Sequence, residues 1–325
     1  MQILQVDEGE RSQLLEAPTP APGPRQVLLR ILGVATCPQW DLHLRHNEPM
    51  FLGHKFQYPY VPGQPGHEAT GVIEAMGEEV ADLALGDRVS AWRDPGHRNP
   101  GCYAQFALLD AINVIRVPAD LSLEATVSVE LAMCVAATFL MLKEMNVICG
   151  RRFGVNGLGP AGLIAAQIAR AEGAATVVGF DLSPDRRAYA RQSVGLDAAF
   201  DPRSTSEITA PSRSRPDSLE TGIDCVGARA SVEWLMDHVR DTVALFGVQR
   251  EAYSFEPRHY SPALRLCGYP GHSRVAAEYA VSLIVRGALD LTPLITHRLP
   301  LSRYEEGIGL LERQEALKVL FLPWE

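Results

Sequence analysis

The chain has 325 residues, 46% of them hydrophobic and 21% charged, which is enough for two well-buried domains and too apolar for long disorder. Its 30 basic and 39 acidic side chains leave a net charge of -9 with no basic run, which argues against a nucleic-acid partner. No apolar stretch is long and clean enough to span a bilayer, the best being residues 131–142, and the N-terminus lacks a basic region followed by an apolar signal core; the expected location is the cytoplasm.

From residue 1 to about 125 the sequence consists of short β-type runs (residues 1–7, 26–32, 69–75 and 87–92) separated by clusters of proline and glycine at 18–24 and 58–66. This predicts an irregular, mostly β domain. After about 126 helical patterns alternate with short apolar runs, the pattern of a parallel sheet with crossover helices, hence a doubly wound α/β domain. Strands are predicted at 152–156, 176–180, 221–226, 242–248 and 263–268, with helices at 162–172, 183–193 and 228–238. Residues 203–220, rich in Ser, Pro and Arg, read as a surface excursion. Beyond Gly268 a helix over 273–287, a strand over 295–299 and a closing helix return to the first domain. The expected division is 1–135 with 269–325, and 136–268. No internal repeat is visible.

The six cysteines (37, 102, 134, 149, 225, 267) contain no CxxC pair. Neither a disulfide framework nor a closed four-cysteine zinc site is indicated, so any metal must use single cysteines brought together by folding.

Gly157-Leu158-Gly159-Pro160-Ala161-Gly162 matches GxGxxG, which is weak alone and gains force from its context. A strand ends at Asn156, a helix opens near Gly162, and the following strand ends at Asp181. Gly157 permits the tight turn, Gly159 lets the backbone approach a pyrophosphate, and Gly162 lets helix and strand pack closely, so that the helix N–H groups face the phosphates. The Asp181 carboxylate would accept both ribose hydroxyls and repel a 2′-phosphate, favouring NAD over NADP. Arg186 is near enough in sequence to reach the ribose or a phosphate. The competing reading is a glycine-rich turn that binds no nucleotide.

Cys37, the run Gly66-His67-Glu68, the GLGPAG turn, Asp181, Ile295-Thr296-His297-Arg298 and Glu315-Ala316-Leu317-Lys318-Val319 together resemble the zinc-dependent medium-chain alcohol dehydrogenase/reductase family over nearly the whole chain. The resemblance implies a chaperonin-10-like β domain plus a Rossmann domain, and one catalytic zinc on three protein ligands with an open position. Cys37 and His67 match two ligands. For the third, the helix before the glycine turn offers Cys134, with Thr138 four residues on matching a threonine beside the nicotinamide, or Glu130 on the same helical face; a site lacking a third ligand is the remaining alternative. Glu68 matches a carboxylate beside the metal or an alternating ligand, Asp41 the acid that orients the zinc-bound histidine, and Lys318 a basic residue that pairs with the pyrophosphate. Trp40 and Trp92 are candidates for the substrate pocket, or for core.

Two departures stand out. The lobe that holds a second, structural zinc is missing, since residues 94–101 run straight through with only Cys102 after them. The family's relay Ser or Thr is also missing: Cys37-Pro38-Gln39-Trp40-Asp41 has one extra residue and no hydroxyl, leaving His43 or Thr36 as substitutes. The implied function is hydride transfer between NAD and a small-molecule alcohol or carbonyl, zinc acting as Lewis acid, in a homo-oligomer, dimer or tetramer. The alternatives are a zinc-independent reductase of the same superfamily and a non-catalytic NAD-binding protein.

Overall fold

The computed structural model describes residues 1–7, 11–204, 218–260 and 263–325, so most of the expected surface excursion, 205–217, lies outside the described residues. Two compact units form: Met1–Met133 with Ala280–Val285 and Leu291–Glu325, and Cys134–Tyr279 with Arg286–Asp290. The change from one to the other falls inside the helix Val129–Glu144, which holds no Gly or Pro to break it. The change of texture near residue 126 marks the start of that helix, and the return to the first unit begins at Ala280 rather than at 269.

In the first unit the strands Ile295–Pro300, Lys318–Leu322, Gln26–Ala35, Glu68–Met76, Arg88–Ala91 and Val114–Arg116 lie side by side in that order, and Phe106–Asp110 also pairs with Gln26–Ala35. Ile295–Pro300 and Lys318–Leu322 are parallel and the other pairs antiparallel. Val27, Leu29 and Ile31 alternate onto one face of the long strand, as the two-residue strand period requires, and meet Ile73, Val89, Leu109 and Phe321 in the core. Burying each such side chain contributes about 1.5–3 kcal/mol.

In the second unit six parallel strands run in the order Ala198–Phe200, Thr176–Phe180, Arg152–Asn156, Leu219–Asp224, Val239–Leu245 and Arg265–Cys267. The helices Pro160–Ala171, Pro184–Ser193 and Arg229–His238 supply crossovers. The order reverses between Arg152–Asn156 and Leu219–Asp224, and in such sheets the carboxyl ends of the strands at the reversal form the ligand crevice. The strand expected at 221–226 ends earlier, at Asp224, because that carboxylate accepts the N–H groups of Val226 and Gly227, the latter at φ 80°. A turn thus replaces the last two strand residues. Among the described residues no helix is long and apolar enough to cross a membrane.

Candidate active site

The antiparallel register that sets Ala35 opposite Glu68, and Leu320 opposite Ala35, brings three chain ends together in the first unit. Cys37 lies two residues beyond one strand, His67 just before the next, and Lys318 opens the third. One ligand atom from each of Cys37, His67 and Glu68 lies within 4.8 Å of the others. Buried His67 has Nδ1 2.7 Å from the carbonyl of Pro65, which assigns a proton to Nδ1 and would leave Nε2 as the nitrogen available to a metal. Nε2 in turn faces Glu130, whose Oε2 is 3.8 Å away. The segment that leads into the Glu130 helix is docked by hydroxyls: Thr70 Oγ1 and Ser90 Oγ are 2.7 Å apart, and Ser90 donates to the Thr126 carbonyl at 3.0 Å.

Burial disfavours charge on His67, but Cys37, Glu130 and Asp94 outweigh it and hold the imidazole well above its ordinary pKa. Burial likewise pushes Glu68 up, with Lys318 opposing. The Lys318 ammonium donates to Glu68 Oε1 and, at 2.6 Å, to the Thr36 carbonyl. Glu68 Oε2 is buried and, among the described residues, lacks a hydrogen-bond partner. A thiol, an imidazole and two carboxylates thus surround a spot that holds one ammonium, and one buried carboxylate oxygen is unmet. This N, O, S donor set fits zinc.

Several expected roles change. Cys134 falls in the second unit, with Sγ within 4.8 Å of a ring nitrogen of His272; the side chain standing against His67 is that of Glu130, one helical turn earlier. Asp41 does not take the His67 N–H, which goes to Pro65. Its buried carboxylate accepts the Cys37 N–H at 2.8 Å and the hydroxyls of Tyr103 at 3.0 Å and Tyr304 at 2.7 Å. Burial pushes its pKa up to about 6 against the pull of those hydroxyls and of His67. Asp41 therefore anchors the backbone of Cys37. His43 pairs its Nδ1 with the Glu48 carbonyl at 3.1 Å, and the Thr36 hydroxyl accepts the Val319 N–H at 2.9 Å. Lys318 is wholly buried on Glu68 and cannot serve a pyrophosphate. Trp92 is core, donating to the Ile112 carbonyl at 2.8 Å, whereas Trp40 packs against His54, Phe56 and His97. The sequence reading missed Asp94, His97, Tyr103 and Tyr304. Tyr103 and Tyr304 carried no motif, and the short segment in place of the metal lobe was the one hint at Asp94 and His97.

In the second unit the glycine turn has the geometry its three glycines predict. Gly157 sits at φ 91°, and a Cβ on Gly162 would stand 1.9 Å from the Gly157 carbonyl oxygen. A Cβ on Gly159 would meet nothing closer than Arg186 Nη1 at 4.0 Å, which is the open approach a pyrophosphate needs above the N–H groups of Pro160–Ala171. Asp181 accepts the N–H of Leu158 on Oδ2 and of Ser183 on Oδ1, both at 2.8 Å, which ties it to the turn and leaves further lone pairs for ribose hydroxyls. Thr138 Oγ1 is buried without a hydrogen-bond partner among the described residues. Two alanine substitutions separate packing from binding. Gly162→Ala is expected to destabilise the fold by about 1–3 kcal/mol and to weaken NADH binding, whereas Gly159→Ala, with room for its methyl, should weaken NADH binding about tenfold and leave thermal unfolding unchanged. Thermal melts and NADH fluorescence titration of the two proteins check this.

A β unit with a zinc-type donor cluster and a doubly wound unit with a dinucleotide turn together define a two-domain, nicotinamide-type dehydrogenase. Residues 23–119 match the alcohol dehydrogenase GroES-like domain and residues 160–268 the zinc-binding dehydrogenase domain, more than half of the chain between them. The chain belongs to the zinc-type medium-chain dehydrogenase/reductase family and is an oxidoreductase acting on small molecules. It is 26% identical over 347 residues to L-threonine 3-dehydrogenase of Coxiella burnetii (strain Dugway 5J108-111), covering 96% of both chains. The fold is similar to 2R,3R-butanediol dehydrogenase from Bacillus subtilis, with TM-score 0.85, 20% identity and 99% of each chain covered. It is also similar to galactitol-1-phosphate dehydrogenase from Escherichia coli, with TM-score 0.83, 23% identity, 99% of this chain and 100% of that one.

Proposed function

We propose that the enzyme moves a hydride between NAD and the carbinol or carbonyl carbon of a small polar alcohol, with one zinc on Cys37, His67 and Glu130 and with Glu68 beside it. The observation that carries this reading is the meeting of Cys37, His67 and Glu68 within 4.8 Å. Bound there, zinc would supply Lewis-acid polarisation of the substrate oxygen. Cys37 and His67 would hold it from two neighbouring strand ends, while the Pro65 carbonyl fixes the His67 ring and Lys318 holds Glu68 in place. What supports Glu130 over Cys134 is its carboxylate 3.8 Å from His67 Nε2. A small polar alcohol suits the near-full-length likeness to a threonine dehydrogenase. The same reading makes the protein a cytoplasmic homo-oligomer.

The test is zinc content together with NADH formation across a panel of small alcohols. Glu130→Ala is expected to lose zinc and Cys134→Ala to keep it; the reverse result moves the third ligand to Cys134. Asp181 supports NAD as the cofactor, and Asp181→Ser should narrow the NAD-over-NADP preference about tenfold, about 1.4 kcal/mol, as the carboxylate that repels a 2′-phosphate is lost. KM values for the two cofactors measure it.

A further inference from the structure

The segment that stands where the family has a metal lobe carries a second imidazole beside the candidate metal site, and it is held in a fixed shape. Buried Gln64 donates to the carbonyls of Gly96, at 3.3 Å, and Asn99, at 2.9 Å. Asp94 Oδ1 accepts the N–H of Gly96, and Asn99 donates to the Pro95 carbonyl at 2.7 Å. Gly63 and Gly101 pass so closely that a Cβ on either would lie 2.3 Å from the other's carbonyl oxygen. From this segment Asp94 Oδ2 lies 3.8 Å from Nδ1 of His67 and 3.8 Å from Nδ1 of His97. The His97 ring packs on Trp40 with centroids 4.0 Å apart; its Nδ1 is buried and has no hydrogen-bond partner among the described residues, while 37% of the side chain is exposed. Among the described residues the anion that faces Nδ1 is Asp94, whose charge at 3.8 Å favours a proton there without a direct hydrogen bond. The proton therefore belongs on Nδ1, and Nε2 presents a lone pair on the exposed side.

Building on the hydride-transfer reading above, we propose that His97, oriented by Asp94 and Trp40, accepts the proton that the substrate hydroxyl loses, in place of the missing relay hydroxyl. In the oxidising direction the O–H bond breaks and its proton passes to Nε2 of His97, directly or over one water. The C–H bond gives its electron pair and proton as hydride to the oxidised nicotinamide, the carbonyl forms, and His97 returns its proton to solvent from its exposed edge. Reduction runs the same steps backwards. The groups facing His97 are Asp94, His67, His54 and the Trp40 ring. Burial holds its pKa below the ordinary histidine value, and His67 and His54 push the same way against Asp94, so the ring is a neutral acceptor at neutral pH. Oxidation must then fall as pH drops through that pKa.

The experiment compares zinc-loaded wild type, His97→Gln and Asp94→Asn by the pH profile of kcat for alcohol oxidation, and by following the histidine ring signals in NMR titrations. Wild type is expected to lose rate on the acid side. His97→Gln should lower kcat about 100-fold, abolish that acid limb, recover rate with added imidazole, and keep its zinc and NADH affinity. Asp94→Asn should move both the acid limb and the His97 signal to lower pH, since the anion that favours the imidazolium is gone. A His97→Gln enzyme that keeps its acid limb and its kcat within twofold overturns the proposal while leaving the hydride-transfer reading standing. A wild type that binds zinc and NADH but oxidises no alcohol on the panel overturns both.

Discussion

Cys37→Ala protein is expected to purify folded, to carry zinc near background, and to form NADH about 1000-fold more slowly than wild type. Folding should survive because Cys37 is only partly buried, and its side chain makes no capping bond to the helix Pro38–Arg45 that it precedes; the backbone bond that fixes its position, Cys37 N–H to Asp41, does not involve the sulfur. Losing one of the three proposed ligands leaves an imidazole and a carboxylate, too few to hold a catalytic zinc. Lewis-acid polarisation of a substrate oxygen contributes several kcal/mol to transition-state stabilisation, and about 4 kcal/mol corresponds to the 1000-fold loss. Zinc analysis, turnover and a thermal melt on one preparation distinguish the outcomes. Full activity without zinc would identify a zinc-independent reductase, and a collapsed melt would assign Cys37 to packing.

The glycine turn was legible in the sequence because each glycine answers a local requirement. Gly157 needs a positive φ and Gly162 a close backbone contact, and neither demand depends on distant residues. The pairing of Cys37 with His67 is implied by the family resemblance, and the register that sets Ala35 opposite Glu68 brings the two residues together. The third ligand was harder. Glu130 and Cys134 share one helical face, so spacing alone cannot separate them, and what favours Glu130 as the proposed ligand is its carboxylate 3.8 Å from His67 Nε2. Asp41 was assigned to His67 by analogy, but two tyrosines from distant segments, Tyr103 and Tyr304, claim its carboxylate. Lys318 looks like any lysine opening a strand until the register with Gln26–Ala35 carries it to Glu68. The contacts of Asp41 and Lys318 share one cause: each hinges on a long-range approach that no local pattern encodes.

That buried pair sets the largest expected loss of stability. Glu68 and Lys318 are both wholly buried, and besides the Thr36 carbonyl the ammonium has Glu68 as its partner. Lys318→Met fills the same space and removes the cation, stranding a carboxylate with one oxygen already unmet. Breaking a buried pair from one side costs about 3–5 kcal/mol, because the remaining charge loses its compensation. Lys318→Met/Glu68→Gln should recover most of that loss, since replacing both members of such a pair with neutral groups is close to neutral, and the coupling between the two sites is then the quantity measured. The sign of the pH dependence follows from Glu68. Burial already raises its pKa, and removing Lys318, which lowers it, must raise it further. A carboxyl with a folded pKa above its unfolded value binds its proton preferentially in the folded state, so the deficit of Lys318→Met relative to wild type should shrink as pH falls toward 5 and grow toward 8. Urea unfolding of the metal-stripped proteins at both pH values measures it, and stripping matters because a divalent ion at Cys37 and His67 would partly replace the missing ammonium. A deficit that does not change with pH would mean that Lys318 contributes by packing alone.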